Sequence, residues 1–293
     1  MTKIDLHMHS IYSDDGQYTV KELLDIAKQQ KLTHMAIADH NSVKAIKEAH
    51  TLLDDYNIHY IDAVELDCTY KGINLHLLGY NFDYNLPIFE AIEENIYQQM
   101  LNMKEELITK IENLGIYINK EKLNELCPDG IVVAEDIAEV VIPDEKNKNH
   151  PLLQPYFENG TRSDNPFVNF YWDICSQGKP AYVKMDYMSL MDAIQIIHEA
   201  NGICVVAHPG NNFKGKDEIL EEILQMNVEG LEVYSSYHTT EQIQHYEQLA
   251  KTYNKICTVG SDFHGKTKPN IQMGSTSPEH ANKLIETLYS TCK

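Results

Sequence analysis

Residues 203–235 read ICVVAHPGNNFKGKDEILEEILQMNVEGLEVYS, and their pattern decides the fold. A short apolar run at 203–207 is followed by a helical stretch at about 217–227 and a second apolar run at 230–235. Short runs rich in Val and Ile read as buried strands, and a strand–helix–strand succession implies parallel strands joined by a crossover. The rhythm continues outward. A helix at about 189–200 leads into the first of these strands. A helix at about 240–253 leads into strand 256–260 (ICTVG), and a last helix runs from about 278 to 288. Towards the N-terminus, 3–7 (KIDLH) and 33–38 (THMAIA) read as strands. Thr19 is placed to cap a helix through about Lys31, with Val20, Leu23, Leu24 and Ala27 on one face, and Ser42 to cap another through about Tyr56. Two more strands are expected near 58–66 and 73–80. The reading is an α/β fold of the barrel type.

The middle of the chain breaks the rhythm. Residues 87–113 form one long helical pattern stopped by Gly115, and 119–178 are helical and loop-rich. Residues 82–180 are therefore expected as an inserted helical subdomain between the two halves, 1–81 and 181–293, of one α/β domain.

Composition narrows the function. The chain has 293 residues, 43% of them hydrophobic, and no run of 18 apolar residues, which excludes a transmembrane helix. The opening MTKIDLHMHS has no apolar targeting segment, so a cytoplasmic location is expected. Six scattered cysteines without a C-x-x-C pair read as reduced thiols. The formal charge of −20 and a single arginine, Arg162, argue against tight binding of a nucleic-acid polymer. A small anionic substrate is compatible with that charge if metal ions supply the positive field.

Chemistry-bearing residues recur where apolar strands end. His7 and His9 are two apart on one strand, so they share a face, and Asp14 follows in the next loop. Asp39-His40 closes MAIA, Glu65 closes IDAV, and His76 lies within INLHLLGY. His208 closes ICVVA, and Asp262 and His264 close ICTVGS. Each alone has a plain structural reading: Asp39 as a helix cap, His76 as a satisfied core histidine, His208 as a strand end. Together they are costly to explain as packing, because buried charges need partners or metal. Nine imidazole and carboxylate candidates (His7, His9, Asp14, His40, Glu65, His76, His208, Asp262 and His264) suit Zn²⁺, Mn²⁺ or Fe²⁺. They exceed the need of one ion and point to two or three, with Glu65 as a bridging carboxylate.

The ordered set HMHS, Asp14, ADH, Glu65, His76, AHPG and GSDFHG resembles the PHP family, named for polymerase and histidinol phosphatase, over roughly 3–80 and 181–270. The resemblance implies a distorted seven-stranded β/α barrel with up to three metal ions. It assigns His7, His9, Glu65 and Asp262 to the first ion. Glu65, His76 and His208 take the second, and Asp14, His40 and His264 the third. It implies a metal-dependent phosphomonoesterase acting on a small phosphorylated substrate, with His208, Asp14 and His264 as catalytic candidates of open role. The segment GKPAYVKMDYMSLMDAIQIIHEANGICVVAHPG resembles small bacterial members that act on nucleoside 3′,5′-bisphosphates or trim RNA ends from the 5′ side. Those relatives carry arginines in the long helix and in the turn after it. Here the helix keeps only Lys104, and the turn has Ala134 and Glu135. Lys104, Arg162, Lys184 and Lys214 are the available substitutes for holding substrate. The competing readings are a histidinol-phosphate phosphatase, a 5′–3′ exonuclease on short oligonucleotides, a metal-dependent amidohydrolase and a metal-binding module without turnover.

Overall fold

A computed structural model describes residues 2–292. Nine strands form two sheets: β1 (Ile4–Asp5), β2 (His34–Met35), β3 (His59–Tyr60), β4 (Ala63–Tyr70), β5 (Ile73–Tyr80), β6 (Met188–Ser189), β7 (Ile203–Val206), β8 (Gly230–Ser235) and β9 (Ile256–Gly260). The small sheet is parallel, in the order β1-β2-β3. The large one runs β6-β4-β5-β7-β8-β9, with β7-β8-β9 parallel and β5 antiparallel to both β4 and β7. Single bridges, Met8 to Phe263 and His40 to Glu65, link the sheets.

The architecture is thus α/β with a mixed central sheet, and not the all-parallel arrangement that strand–helix alternation predicts. Among the described residues no continuous closed barrel of strands forms. Two local causes are visible. Tyr70 pairs with Ile73 across Lys71-Gly72, whose φ angles of 48° and 76° are those of a hairpin turn, so β5 must return antiparallel. Strands β1 and β2 pair for two residues each, and the ladder ends at Asp5 and Met35, short of His7 and Asp39.

The helices are α1 (Val20–Gln29), α2 (Lys44–Leu52), α3 (Pro87–Asn113), α4 (Lys120–Leu126), α5 (Ala134–Val141), α6 (Pro166–Phe170), α7 (Leu190–Glu199), α8 (Pro209–Asn212), α9 (Asp217–Leu224), α10 (Thr240–Thr252) and α11 (Ala281–Thr291). Thr19 caps α1 in a reciprocal box with Glu22, and the expected apolar face is buried. Ser42 is not the cap of α2. Val43 holds that position, and Ser42 Oγ instead accepts from the Lys44 amide at 3.3 Å. The long helix spans the predicted residues and ends two positions before Gly115, whose φ is +85°.

The chain forms two compact units. The first comprises residues 1–92, 187–263 and 271–293, and the second comprises 93–186 and 264–270. The division falls inside α3, not at 82, because the first turns of that helix bury Phe89 and Ile92 in the sheet core. The first unit also contains a smaller cluster of Met8, Leu23, Leu24, Met35 and Ile37 under α1 and α2. The second unit has its own core, built from Leu107, Ile108, Ile111, Ile137, Val141 and Phe170.

Candidate metal centre

Within the first unit, the strand ends deliver their polar side chains to one place. Glu65, fully buried on β4, is the hub. Its Oε2 lies 3.0 Å from His7 Nε2, 3.2 Å from His9 Nε2 and 3.4 Å from His40 Nδ1. Its Oε1 lies 2.9 Å from His76 Nδ1 and 3.0 Å from His208 Nε2. Asp262 Oδ1 is 3.4 Å from His7 Nε2 and 3.1 Å from His9 Nε2. His7, His9, Glu65 and Asp262 form one candidate cation group, and Glu65, His76 and His208 another. All of the first group and Glu65 and His208 of the second are buried.

Neighbouring residues explain why these side chains hold their directions. His7 Nδ1 is 2.9 Å from Oε1 of Glu232 on β8, a buried carboxylate whose Oε2 accepts from the His208 amide at 2.8 Å. His9 Nδ1 pairs with Ser13 Oγ at 3.0 Å. With the outer ring nitrogens engaged, both Nε2 atoms face inward, 3.2 Å from each other. Outer-nitrogen partners of this kind fix tautomer and ring orientation at metal sites. A side chain at Gly260 would collide with His7 and Glu232, so glycine there lets β9 lie against both. Tyr237 donates its hydroxyl to Asp262 Oδ2. Asp262 itself has φ +57°, a costly conformation for a non-glycine residue and one that clusters at functional sites. His238 takes Val233 O on Nδ1 at 2.8 Å and the Gly210 amide on Nε2 at 3.1 Å, pinning the His-Pro-Gly turn.

The electrostatics demand positive charge. Burial opposes the His7 imidazolium, but Glu65, Glu232 and Asp262 outweigh it and raise its pKa well above the usual histidine value. His40 is likewise penalised by burial yet pushed up to about 10 by Glu65, Asp67, Asp15 and Asp14. Burial would raise the Glu65 pKa, and the surrounding imidazoles drive it well below the usual carboxylate range. His208 Nδ1 is buried without a hydrogen-bond partner among the described residues. A thiolate-free set of imidazole nitrogens and carboxylate oxygens, converging at these separations, fits divalent cations. Ligands bound at about 2.1 Å around one ion stand roughly 3.0–3.4 Å apart.

Other expected residues have further neighbours. Asp15, not Asp14, is the aspartate grouped with His9 and His40, and Asp14 is exposed. His264 is buried in the second unit, with the Lys268 ammonium 3.4 Å from its Nε2. Asp39 is occupied by Ser10, whose amide and hydroxyl donate to its two oxygens at 2.6 and 2.7 Å, so it ties the HMHS turn to β2. The candidate substrate cations have local partners. Arg162 pairs with Asp173 at 3.0 Å, Lys184 with Asp186 at 2.6 Å and Lys104 with Asn124 at 3.3 Å. Lys214 is exposed, with φ +35°. Sequence reading missed Glu232 and Asp67. Asp67 was open to discovery by the same two-residue spacing from Glu65 that pairs His7 with His9. Glu232 sits inside an apolar strand with nothing in its neighbours to mark it.

A protein-family model described as "PHP domain" matches residues 5–288. A 5′-3′ exoribonuclease of Haemophilus influenzae is 30% identical over 267 residues, covering 89% of this chain and 90% of that one. A 3′,5′-nucleoside bisphosphate phosphatase of Chromobacterium violaceum is 27% identical over 279 residues, covering 94% and 92%. A solved structure of an amidohydrolase from Chromobacterium violaceum shares the fold with a TM-score of 0.80 at 24% identity, over 99% of this chain and 96% of that one. No helix among the described residues is long and apolar enough to cross a membrane. By the family model and by the extent of the 30% relative, the chain belongs to the PHP domain family.

Proposed function

We propose that this protein is a metal-dependent phosphoesterase that hydrolyses a small phosphomonoester with two or three divalent cations, Mn²⁺, Zn²⁺ or Fe²⁺. The observation that carries the reading is the Glu65 carboxylate, buried and within 3.4 Å of a nitrogen of His7, His9, His40, His76 and His208. The first ion is assigned to His7, His9, Glu65 and Asp262, and the second to Glu65, His76 and His208. The third, on the family pattern, takes His40, His264 and an aspartate of the Asp14–Asp15 pair. The underlying architecture is proposed to be the family's distorted (β/α)7 barrel, with the helical insertion shaping specificity.

Bound cations supply charge that offsets the phosphoryl oxygens and lowers the pKa of water into the neutral range. The protein's part is orientation. Glu232 and Ser13 hold His7 and His9 in register, and Tyr237 holds Asp262. His208, Asp14 and His264 are proposed as catalytic side chains, without an assigned role for each.

A nucleoside 3′,5′-bisphosphate is the first candidate substrate, supported by the 27% relative of that name. Action on short RNA from the 5′ end is the second reading, supported by the 30% relative and at odds with the charge of −20. The experiment is hydrolysis by Mn²⁺-loaded enzyme of 3′,5′-bisphosphoadenosine, mononucleotides, short RNA, histidinol phosphate and a chromogenic monoester. Preference for the bisphosphate supports the first reading, and oligonucleotides without mononucleotides the second. A fully metal-loaded protein inert on the whole panel would sink both.

A further inference from the structure

Strand β4 presents a second carboxylate to the histidines. Asp67 lies two residues beyond Glu65, on the same face. Its Oδ1 is 3.2 Å from His76 Nε2 and 3.6 Å from His40 Nδ1. Its second carboxylate oxygen and its amide are committed to one neighbour: Oδ2 accepts from Asn41 Nδ2 at 2.7 Å, and the backbone amide donates to Asn41 Oδ1 at 3.0 Å. Asn41 is buried, adjacent to His40 and in the left-handed conformation with φ +55°. That reciprocal pair leaves Oδ1 aimed at the two imidazoles.

We propose that Asp67 is a metal ligand, closing a cation position with His40 and His76 on the open side of the cluster, in place of the family-pattern assignment of His40 to the third ion. The proposal rests on the reading of the site as a metal centre. The separations compare with the 3.0–3.4 Å between ligand atoms of the His7, His9, Glu65 and Asp262 group. Exposure separates the two. The side chains of His7, His9 and Glu65 are 0% exposed, whereas those of His40 and Asp67 are 14% and that of His76 is 28% exposed. Ligands open to water exchange their ion faster and bind it less tightly than sealed ones, so this position holds the labile cation. His76 links it to the interior. Nδ1 faces Glu65 and Nε2 faces Asp67, and a neutral imidazole offers one lone pair. His76 therefore serves one side at a time, and when it serves Asp67 the inner ion keeps Glu65 and His208.

The test is Mn²⁺ titration of the metal-stripped full chain, read by bound-ion stoichiometry and by electron paramagnetic resonance, for wild type and Asp67→Asn. The expected result is loss of the weakest equivalent in Asp67→Asn, with the tighter ones retained and the melting temperature of the stripped protein unchanged. Asn41→Ala, which frees Asp67 but keeps its charge, should weaken the same equivalent without removing it. Identical stoichiometry and affinities in wild type and Asp67→Asn would overturn the proposal. So would weakened binding at unchanged stoichiometry, which would make Asp67 only an orienting group. If Asp67→Asn fails to fold, Asp67→Ser is titrated against the same two outcomes. Wild type binding no divalent ion would instead defeat the proposed function as a whole.

Discussion

The two units of this chain use their polar residues in opposite ways. In the first, charged and imidazole side chains are driven inward: Asp5, His7, His9, Asp39, Glu65, His208, Glu232 and Asp262 are all buried. In the second, the cations Lys104, Arg162 and Lys184 stay half-buried or exposed, each with a local partner, and the core is aliphatic and aromatic with only a few ionisable side chains buried, Glu135, His264 and Lys268 among them. Hydrophobic burial needs no exact partner, so the second unit can vary its surface freely. Buried charge needs every neighbour in place, so the first unit cannot. This contrast predicts where a substitution damages chemistry and where it damages only stability.

The sharpest break comes from the cluster. Asp262→Ala or His9→Ala is expected to lower phosphoesterase activity by about a thousandfold or more, since each removes a proposed ligand of a cation worth several kcal/mol of charge stabilisation. Far-ultraviolet circular dichroism should be unchanged. A variant with full activity and verified metal content would show that the inward charges are structural after all.

Next is the second unit's core. Phe170 is fully buried and packs edge-on to Tyr156 at a ring separation of 5.8 Å. Phe170→Ala should cost about 3–5 kcal/mol of stability by opening a cavity. Metal bound by the His7, His9, Glu65 and Asp262 group should be unaffected, measured by chemical denaturation alongside metal analysis. Loss of that metal in a still-folded variant would show that the first unit's charges depend on the second unit's packing.

A smaller effect is expected at Glu232, which orients His7 and touches no other member of the cluster through its side chain except by holding the His208 amide. Glu232→Gln preserves size and one acceptor, so metal affinity should fall by about 10–100-fold with the stoichiometry retained. An unchanged affinity would remove Glu232 from the machinery.

How much of this was legible follows from the same contrast. The polar strand ends that converge on Glu65 could be read because each places a polar residue where an apolar run stops, and because His7-x-His9 repeats the strand period. Helix α3 and the Thr19 cap were read for equally local reasons. What escaped depends on contacts far apart in sequence. The antiparallel return of β5 rests on the Lys71-Gly72 turn, which lacks the Asn or Asp that marks such hairpins. The choice between Asp14 and Asp15 depends on how one loop folds, and Glu232 meets His7 across 225 residues.

The mildest test returns to the second unit and asks how one of its partly buried charges behaves. Asp136, at the start of α5, neighbours the buried Glu135, and its carboxylate accepts from the Val133 amide at 3.1 Å. Burial raises its pKa above the ordinary aspartate value, more than that hydrogen bond and Lys266 lower it. The sign follows. An acid whose folded pKa is raised favours its protonated form on folding. Its contribution is fully present below the unfolded pKa and is lost as pH rises through the folded one. Asp136→Asn keeps an acceptor for the Val133 amide and never ionises. The variant should therefore match or slightly exceed wild type at pH 7, by no more than about 1 kcal/mol, and lose that advantage at pH 3. Denaturation at both pH values measures it. A strongly destabilised variant at pH 7 would mean that the Asp136 charge is stabilising, and that the second unit shares the buried-charge design of the first.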